Sequence, residues 1–181
     1  PDKFLFYPAQ LWKHKNHIVV LKALNYLNKK VNIKIVASGH FNDHRNPHHS
    51  TKIMNYINSH NLNKNFIHLG ILPFEEMISL ILRSVAVINP SKSEGWSNTV
   101  EQAKSLGKKV ILSDIQTHKE QIDKNFFYFK SDSFVQLANV MLGLNHKFKK
   151  PKNFTKNYQI YKKYVLKQKN FINDYENIFK N

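Results

Sequence analysis

The chain has 181 residues and a formal charge of +16, from 28 Lys and Arg against 12 Asp and Glu. The length suits one domain, and 41 % hydrophobic with 13 % aromatic residues supplies a core, which excludes wholesale disorder. The lack of cysteine excludes disulfides and Cys-ligated zinc or iron–sulfur centres, and no apolar run reaches the ~20 residues of a spanning helix.

In chain order, Lys3–Ala9 reads as an aromatic-rich strand, followed by a helix over Asn16–Lys29 with Ile18, Leu21, Leu24 and Leu27 at helical spacing. Asn32–Ala37 reads as a buried strand and Ser50–His60 as a second helix. Asn65–Leu69 is a third strand, Phe74–Arg83 a helix, and Val85–Asn89 a fourth, very apolar strand. The loop Pro90–Ser97 opens a helix that stops at Gly107. Lys109–Ser113 and Asn125–Phe129 complete six strands, with a last helix over Ser133–Leu142. Short strands alternating with helices predict an α/β, Rossmann-like parallel sheet covered on both faces. Ligands then belong in loops that follow strands: 8–17, 38–49, 70–74, 90–98 and 113–119.

Beyond Gly143 the pattern changes. Lys152 to Phe179 is highly basic, with Phe154, Tyr158, Tyr161, Tyr164, Phe171 and Tyr175 at roughly helical spacing, which predicts a long amphipathic helix. The division expected is a nucleotide-binding domain at 1–145 and a basic helical segment at 146–181. That helix packs either on a domain or on an anionic membrane surface.

No glycine-rich dinucleotide fingerprint, Walker loop or Gly-x-Ser-x-Gly elbow occurs, so a phosphate site must use a helix N-terminus with lysine. The richest segment is Asn89–Glu101. Gly95 permits close backbone approach, and Ser97, Asn98 and Thr99 would present free N–H groups at the helix start. Glu94 and Glu101 would face the crevice, suited to accepting sugar hydroxyls. Alternatively, Asn98-x-x-Glu101 is a capping box and Glu94 an ordinary loop acid. Lys13, His14 and Lys15 bring charge to a helix start, where the dipole opposes it unless an anion compensates; a solvated lysine is the other reading. His40, His44, His48 and His49 lie among Gly39, Asn42, Asn46 and Pro47, which reads as a floppy loop more than a metal site.

Only Arg45 and Arg83 among the basic residues are arginines, whereas base readers lean on Arg. A lysine-driven nucleic-acid-binding module stays open on charge alone.

Tyr7–His17, Ile67-His68-Leu69-Gly70, Pro90–Ser97, Val100–Lys104, Leu106-Gly107, Ser113-Asp114-Ile115 and His118–Gln121 occur in this order. Together they resemble the C-terminal, donor-binding domain of retaining family 4 glycosyltransferases with the GT-B fold, over about residues 3–145. The resemblance implies a nucleotide-diphosphate sugar bound between two Rossmann-like domains. On it, Lys15 contacts the diphosphate with Lys13 or His14 assisting, Glu94 sits near the transferred sugar, and Glu101 holds the ribose. Gly95, Trp96, Ser97, Asn98 and Thr99 meet the diphosphate, and Gly70, Ile71 and Leu72 the base. Six residues separate Glu94 from Glu101, where the family usually has seven, and Gln10 stands where a basic residue is common.

The implied reaction is transfer of a hexosyl or deoxyhexosyl group to a glycan or lipid-linked acceptor in cell-surface polysaccharide synthesis. No metal, cofactor or nucleic acid is expected, and the location is cytoplasmic, peripheral to an anionic membrane. A sugar-nucleotide epimerase of GT-B type is the enzymatic alternative. The start at Pro1-Asp2-Lys3, without initiator Met, leads to the expectation of a piece lacking its N-terminal acceptor domain and inactive alone.

Overall fold

A computed structural model describes residues 3–28, 30–122 and 124–147. Six strands, β1 (Leu5–Pro8), β2 (Ile35–Ser38), β3 (Phe66–His68), β4 (Val87–Asn89), β5 (Val110–Ser113) and β6 (Phe126–Phe129), form one sheet in the order β3-β2-β1-β4-β5-β6. Every pairing is parallel, with Leu5 opposite Ile35, Phe6 opposite Val87, and Val110 opposite Phe126. The central strands are apolar along their length because both faces are covered: Phe6, Val87, Ile88, Ile111 and Leu112 have no exposed surface.

Among the described residues six helices connect or follow the strands: α1 (His17–Asn28), α2 (His49–Ser59), α3 (Phe74–Arg83), α4 (Asn98–Ser105), α5 (Gln116–Gln121) and α6 (Phe134–Lys147). Right-handed crossovers put α1 and α2, which lead outward to β2 and β3, on one face. Helix α3 carries the chain back past β1 to β4, so α3, α4 and α5 take the other face. Helix α6 returns to pack on α1. Val20, Leu21, Leu24 and Leu27 of α1 are fully or almost fully buried, as are Leu137, Ala138 and Met141 of α6. Each such Leu contributes roughly 1.5–3 kcal/mol of burial.

Some boundaries differ from the sequence expectation, and two short elements lie outside it. Helix α1 starts at His17, because Asn16 is left-handed, with φ of 63°. Helix α6 runs through Gly143 to Lys147, since Met141 and Leu144 continue its buried stripe. Helix α5 was not expected, and a 3₁₀ turn at Lys13–Lys15 precedes α1. Residues 148–181, which hold the expected basic amphipathic helix, lie outside the described residues. Among the described residues no helix is long and apolar enough to cross a membrane.

The chain moves outward from β1 to β2 and later returns on the other side to β4. The loops after β1 and β4 therefore diverge, which leaves a crevice beyond the carboxyl ends of these two strands.

Candidate functional site

The loop after β1 is pinned at several points. Leu11 is buried as an anchor, and Leu11 N–H donates to His40 O at 2.9 Å. The Tyr7 hydroxyl donates to Lys15 O. Asn16 follows with its amide buried, donating to Pro90 O at 3.0 Å and Ser131 O at 2.7 Å. Its left-handed backbone, tolerated better by Asn than by most residues, turns the chain between the 3₁₀ turn and α1. Lys15 is thereby fixed at the crevice.

Residues 40–49 dock onto this loop. Asp43, 2 % exposed, accepts from Lys13 N–H, Arg45 N–H and Asn46 Nδ2, each at 3.1 Å. Burial pushes its carboxyl up, but these bonds and the Arg45 charge outweigh it and hold the group below the usual range. Arg45 in turn lies 4.8 Å from the centre of the Trp12 ring. The stretch expected to be floppy is thus tied down by its one aspartate. His40, His44 and His48 face solvent, and no metal-holding group of three His, Cys, Asp or Glu occurs among the described residues.

The loop after β4 brings Glu94 to Lys15. The Lys15 ammonium lies 2.7 Å from Glu94 Oε1 and 3.0 Å from Oε2. Ser91 Oγ is 2.6 Å from Oε1 and 2.8 Å from Asn89 Oδ1; its single proton belongs with the carboxylate, the stronger acceptor. Burial raises the Glu94 carboxyl, yet the bonds from Lys15 and Ser91 prevail and hold it below the ordinary value. Thr117 of α5 donates to Glu94 O at 2.9 Å, and Lys92 N–H donates to His14 O at 2.8 Å. The anion that compensates lysine at this helix start is Glu94 itself.

Helix α4 begins differently from the capping-box reading. Ser97 is the N-cap, its hydroxyl accepting from Val100 N–H at 3.4 Å, and Asn98 is the first helical residue. The Ser97 N–H is not free either: it donates to Gln121 Oε1 at 3.1 Å. The N–H groups of Gly95, Trp96, Asn98 and Thr99 have no hydrogen-bond partner among the described residues. Glu101 pairs with Lys104 at 2.9 Å and accepts from Gln121 Nε2 at 3.3 Å.

These elements enclose a cleft of about 300 Å³, whose walls include Trp12, Lys15, Glu94, Trp96, Ser97, Asn98 and Thr99. A second hollow of about 190 Å³ is lined by Ser38, Gly39, His40, Ile71, Leu72 and Met77. Pro8, Ala9 and Gln10 line both. Of the residues expected at the site, Lys13 and Glu101 line neither hollow, and Gly95 and Gly70 do not appear in their walls. Gly70 instead braces the floor, its carbonyl accepting from Gly39 N–H at 2.8 Å.

A cleft at this strand switch, with a lysine and a row of unpaired amides, is suited to an anionic ligand. The family described as Glycosyl transferases group 1 matches residues 1–163. The chain belongs to that family. No curated protein matches the chain. HepE of Anabaena, solved in complex with UDP, shares its fold with a TM-score of 0.71 at 17 % identity, covering 80 % of this chain and 40 % of that one. A glycosyltransferase from Rickettsia africae gives 0.70 at 20 % identity, covering 80 % and 38 %. The C-terminal domain of LpcC, a glycosyl transferase group 1 family protein from Francisella tularensis, gives 0.69 at 19 %, covering 80 % and 76 %. The fold is that of GT-B C-terminal domains, and the chain spans about two fifths of HepE.

Four supporting residues escaped the sequence reading: Asn16, Asn89, Ser91 and Gln121. All four lie within segments that the sequence marks, Asn16 in Tyr7–His17, Asn89 and Ser91 in Asn89–Glu101 and Gln121 in His118–Gln121, but nothing in the spacing singles out these residues.

Proposed function

We propose that this domain binds the nucleotide-diphosphate sugar donor of a retaining family 4 glycosyltransferase. The observation that carries the reading is the Lys15–Glu94 pair in one cleft with the unpaired amides of Asn98 and Thr99. Lys15 and those amides would stabilise the charge that builds on the leaving diphosphate, a preorganised electrostatic contribution. Glu94 would accept hydroxyls of the transferred hexosyl or deoxyhexosyl ring. The hollow beside Ile71 and Leu72 would take the base. The UDP complex of HepE supports a nucleotide in a fold of this kind.

The acceptor, a glycan or lipid-linked sugar in cell-surface polysaccharide synthesis, would be held by a second domain, at the cytoplasmic face of an anionic membrane. Calorimetric titration of the chain with UDP-, GDP- and dTDP-sugars tests donor binding. Saturable binding of one donor, weakened in Lys15→Ala, is the expected result. Failure of all three, with salt-dependent binding of duplex DNA instead, would overturn it. Anomeric analysis of product made by the two-domain enzyme tests retention.

A further inference from the structure

Gln121 closes α5 and is 3 % exposed, yet it lines neither hollow. Its amide grips a single residue of the α4 entry from two sides. Oε1 accepts the Ser97 N–H at 3.1 Å, and Nε2 donates to Ser97 O at 3.1 Å. Nε2 also reaches Glu101 Oε1 at 3.3 Å. Only one orientation of the amide satisfies this set; a flip sets donor against donor and oxygen against oxygen.

Ser97 is fixed at its remaining polar points as well. Its hydroxyl accepts from Asn89 Nδ2 at 2.7 Å and from Val100 N–H, and its carbonyl accepts Glu101 N–H at 3.1 Å. The Lys104 ammonium donates to Gln121 O at 2.8 Å and pairs with Glu101, which holds the end of α5 against α4. Peptide planes are rigid, so once Ser97 is fixed the directions of the Asn98 and Thr99 amides vary with very few dihedrals. Donors aimed before an anion arrives cost no reorganisation on binding.

We infer that Gln121 is a positioning residue for the phosphate-facing amides of α4. It withdraws the Ser97 N–H from the free donors and aims the two that follow, without touching the ligand. This rests on the donor-binding reading above and adds to it a residue 24 positions beyond Ser97.

The test compares wild type with Gln121→Leu and Gln121→Glu, using whichever of UDP, GDP and dTDP binds and its parent nucleoside. In Gln121→Leu, diphosphate affinity falls about tenfold or more, while nucleoside affinity changes less than about twofold. Gln121→Glu behaves like Gln121→Leu at about pH 8, where a carboxylate opposes Ser97 O and Glu101. Towards about pH 5 it recovers relative to wild type at the same pH, as the protonated carboxyl regains a donor. The charged groups in contact with Gln121 are Glu101 and Lys104 on α4. Equal losses for both ligands, or none, overturn the inference. A wild-type chain that binds none of the three diphosphates overturns the donor reading instead. Amide exchange at Ser97–Val100 in the ligand-free protein then decides the clamp: acceleration confined to this turn in Gln121→Leu upholds it, and unchanged exchange refutes it.

Discussion

Lys15 and Glu94, 79 residues apart in the chain, meet as a two-oxygen ion pair at 2.7 and 3.0 Å across the β1–β4 crevice. The Glu94 side chain is 8 % exposed and that of Lys15 20 %, so removing either partner strands a charge in a partly dry site. Lys15→Ala should weaken nucleoside diphosphate binding by about 10- to 100-fold, because it removes the cation from the phosphate site. Glu94→Gln should leave that binding intact or tighter, since Lys15 loses its competitor, while abolishing transfer in the two-domain enzyme. Calorimetry and a transfer assay on both variants check this. Equal loss of binding in the two would sink it.

Asn16→Ala should destabilise the fold by about 2–4 kcal/mol in urea titration, from two buried hydrogen bonds and a left-handed backbone that alanine disfavours. Asn16→Gly keeps the backbone accessible and should cost less. The prediction fails if the alanine variant is the more stable of the two.

Gly39→Ala should lower stability and displace the loop after β1. A methyl group there would lie 2.6 Å from Ala9 O and 2.7 Å from Gln10 N, and φ is 140°. The obstacle is backbone and cannot swing aside, so a cost of about 2–4 kcal/mol is expected. Unchanged thermal unfolding of this variant would contradict it.

Stability should decline as pH falls below 6.5. Burial, with the nearby His68 and His49, lowers the His17 pKa to about 3, and burial lowers that of His68 to about 4. In the unfolded chain both titrate near 6.5, so the unfolded state binds more protons between these values and acid favours it. The contribution is fully present above pH 6.5 and shrinks as pH approaches 3. For the fully buried His17 it is on the order of 5 kcal/mol. His17→Phe should keep the ring against Tyr7, whose centroid is 4.4 Å away, and flatten the pH dependence. Urea midpoints across this range measure it; an unchanged slope in His17→Phe would refute the assignment.

The alternation of strands and helices was legible because strands buried on both faces read as short continuous apolar runs, while helices bury one stripe at helical spacing. Helix α5 was not: its buried residues are His118 and Gln121, polar groups that form no apolar stripe. The Ser97 cap was hidden behind Asn98, an equally good cap by composition, and only the extended backbone of Ser97 separates them. At the site, the loops after β1 and β4 were legible from topology. The pairing of Lys15 with Glu94 and the bond from Gln121 to Glu101 depend on contacts between distant segments that spacing does not encode, whereas Glu101–Lys104 is an i,i+3 pair within α4.

Trp12 and Trp96 are the chain's two tryptophans, and both line the Lys15–Glu94 cleft. One is stacked beneath Arg45 and the other is 56 % exposed. All indole emission from the protein therefore originates at the walls of this cleft, with no distant fluorophore to dilute it. Ligand entry can be followed on the unlabelled molecule as a change in its intrinsic fluorescence, and Trp12→Phe or Trp96→Phe would show which wall the ligand meets.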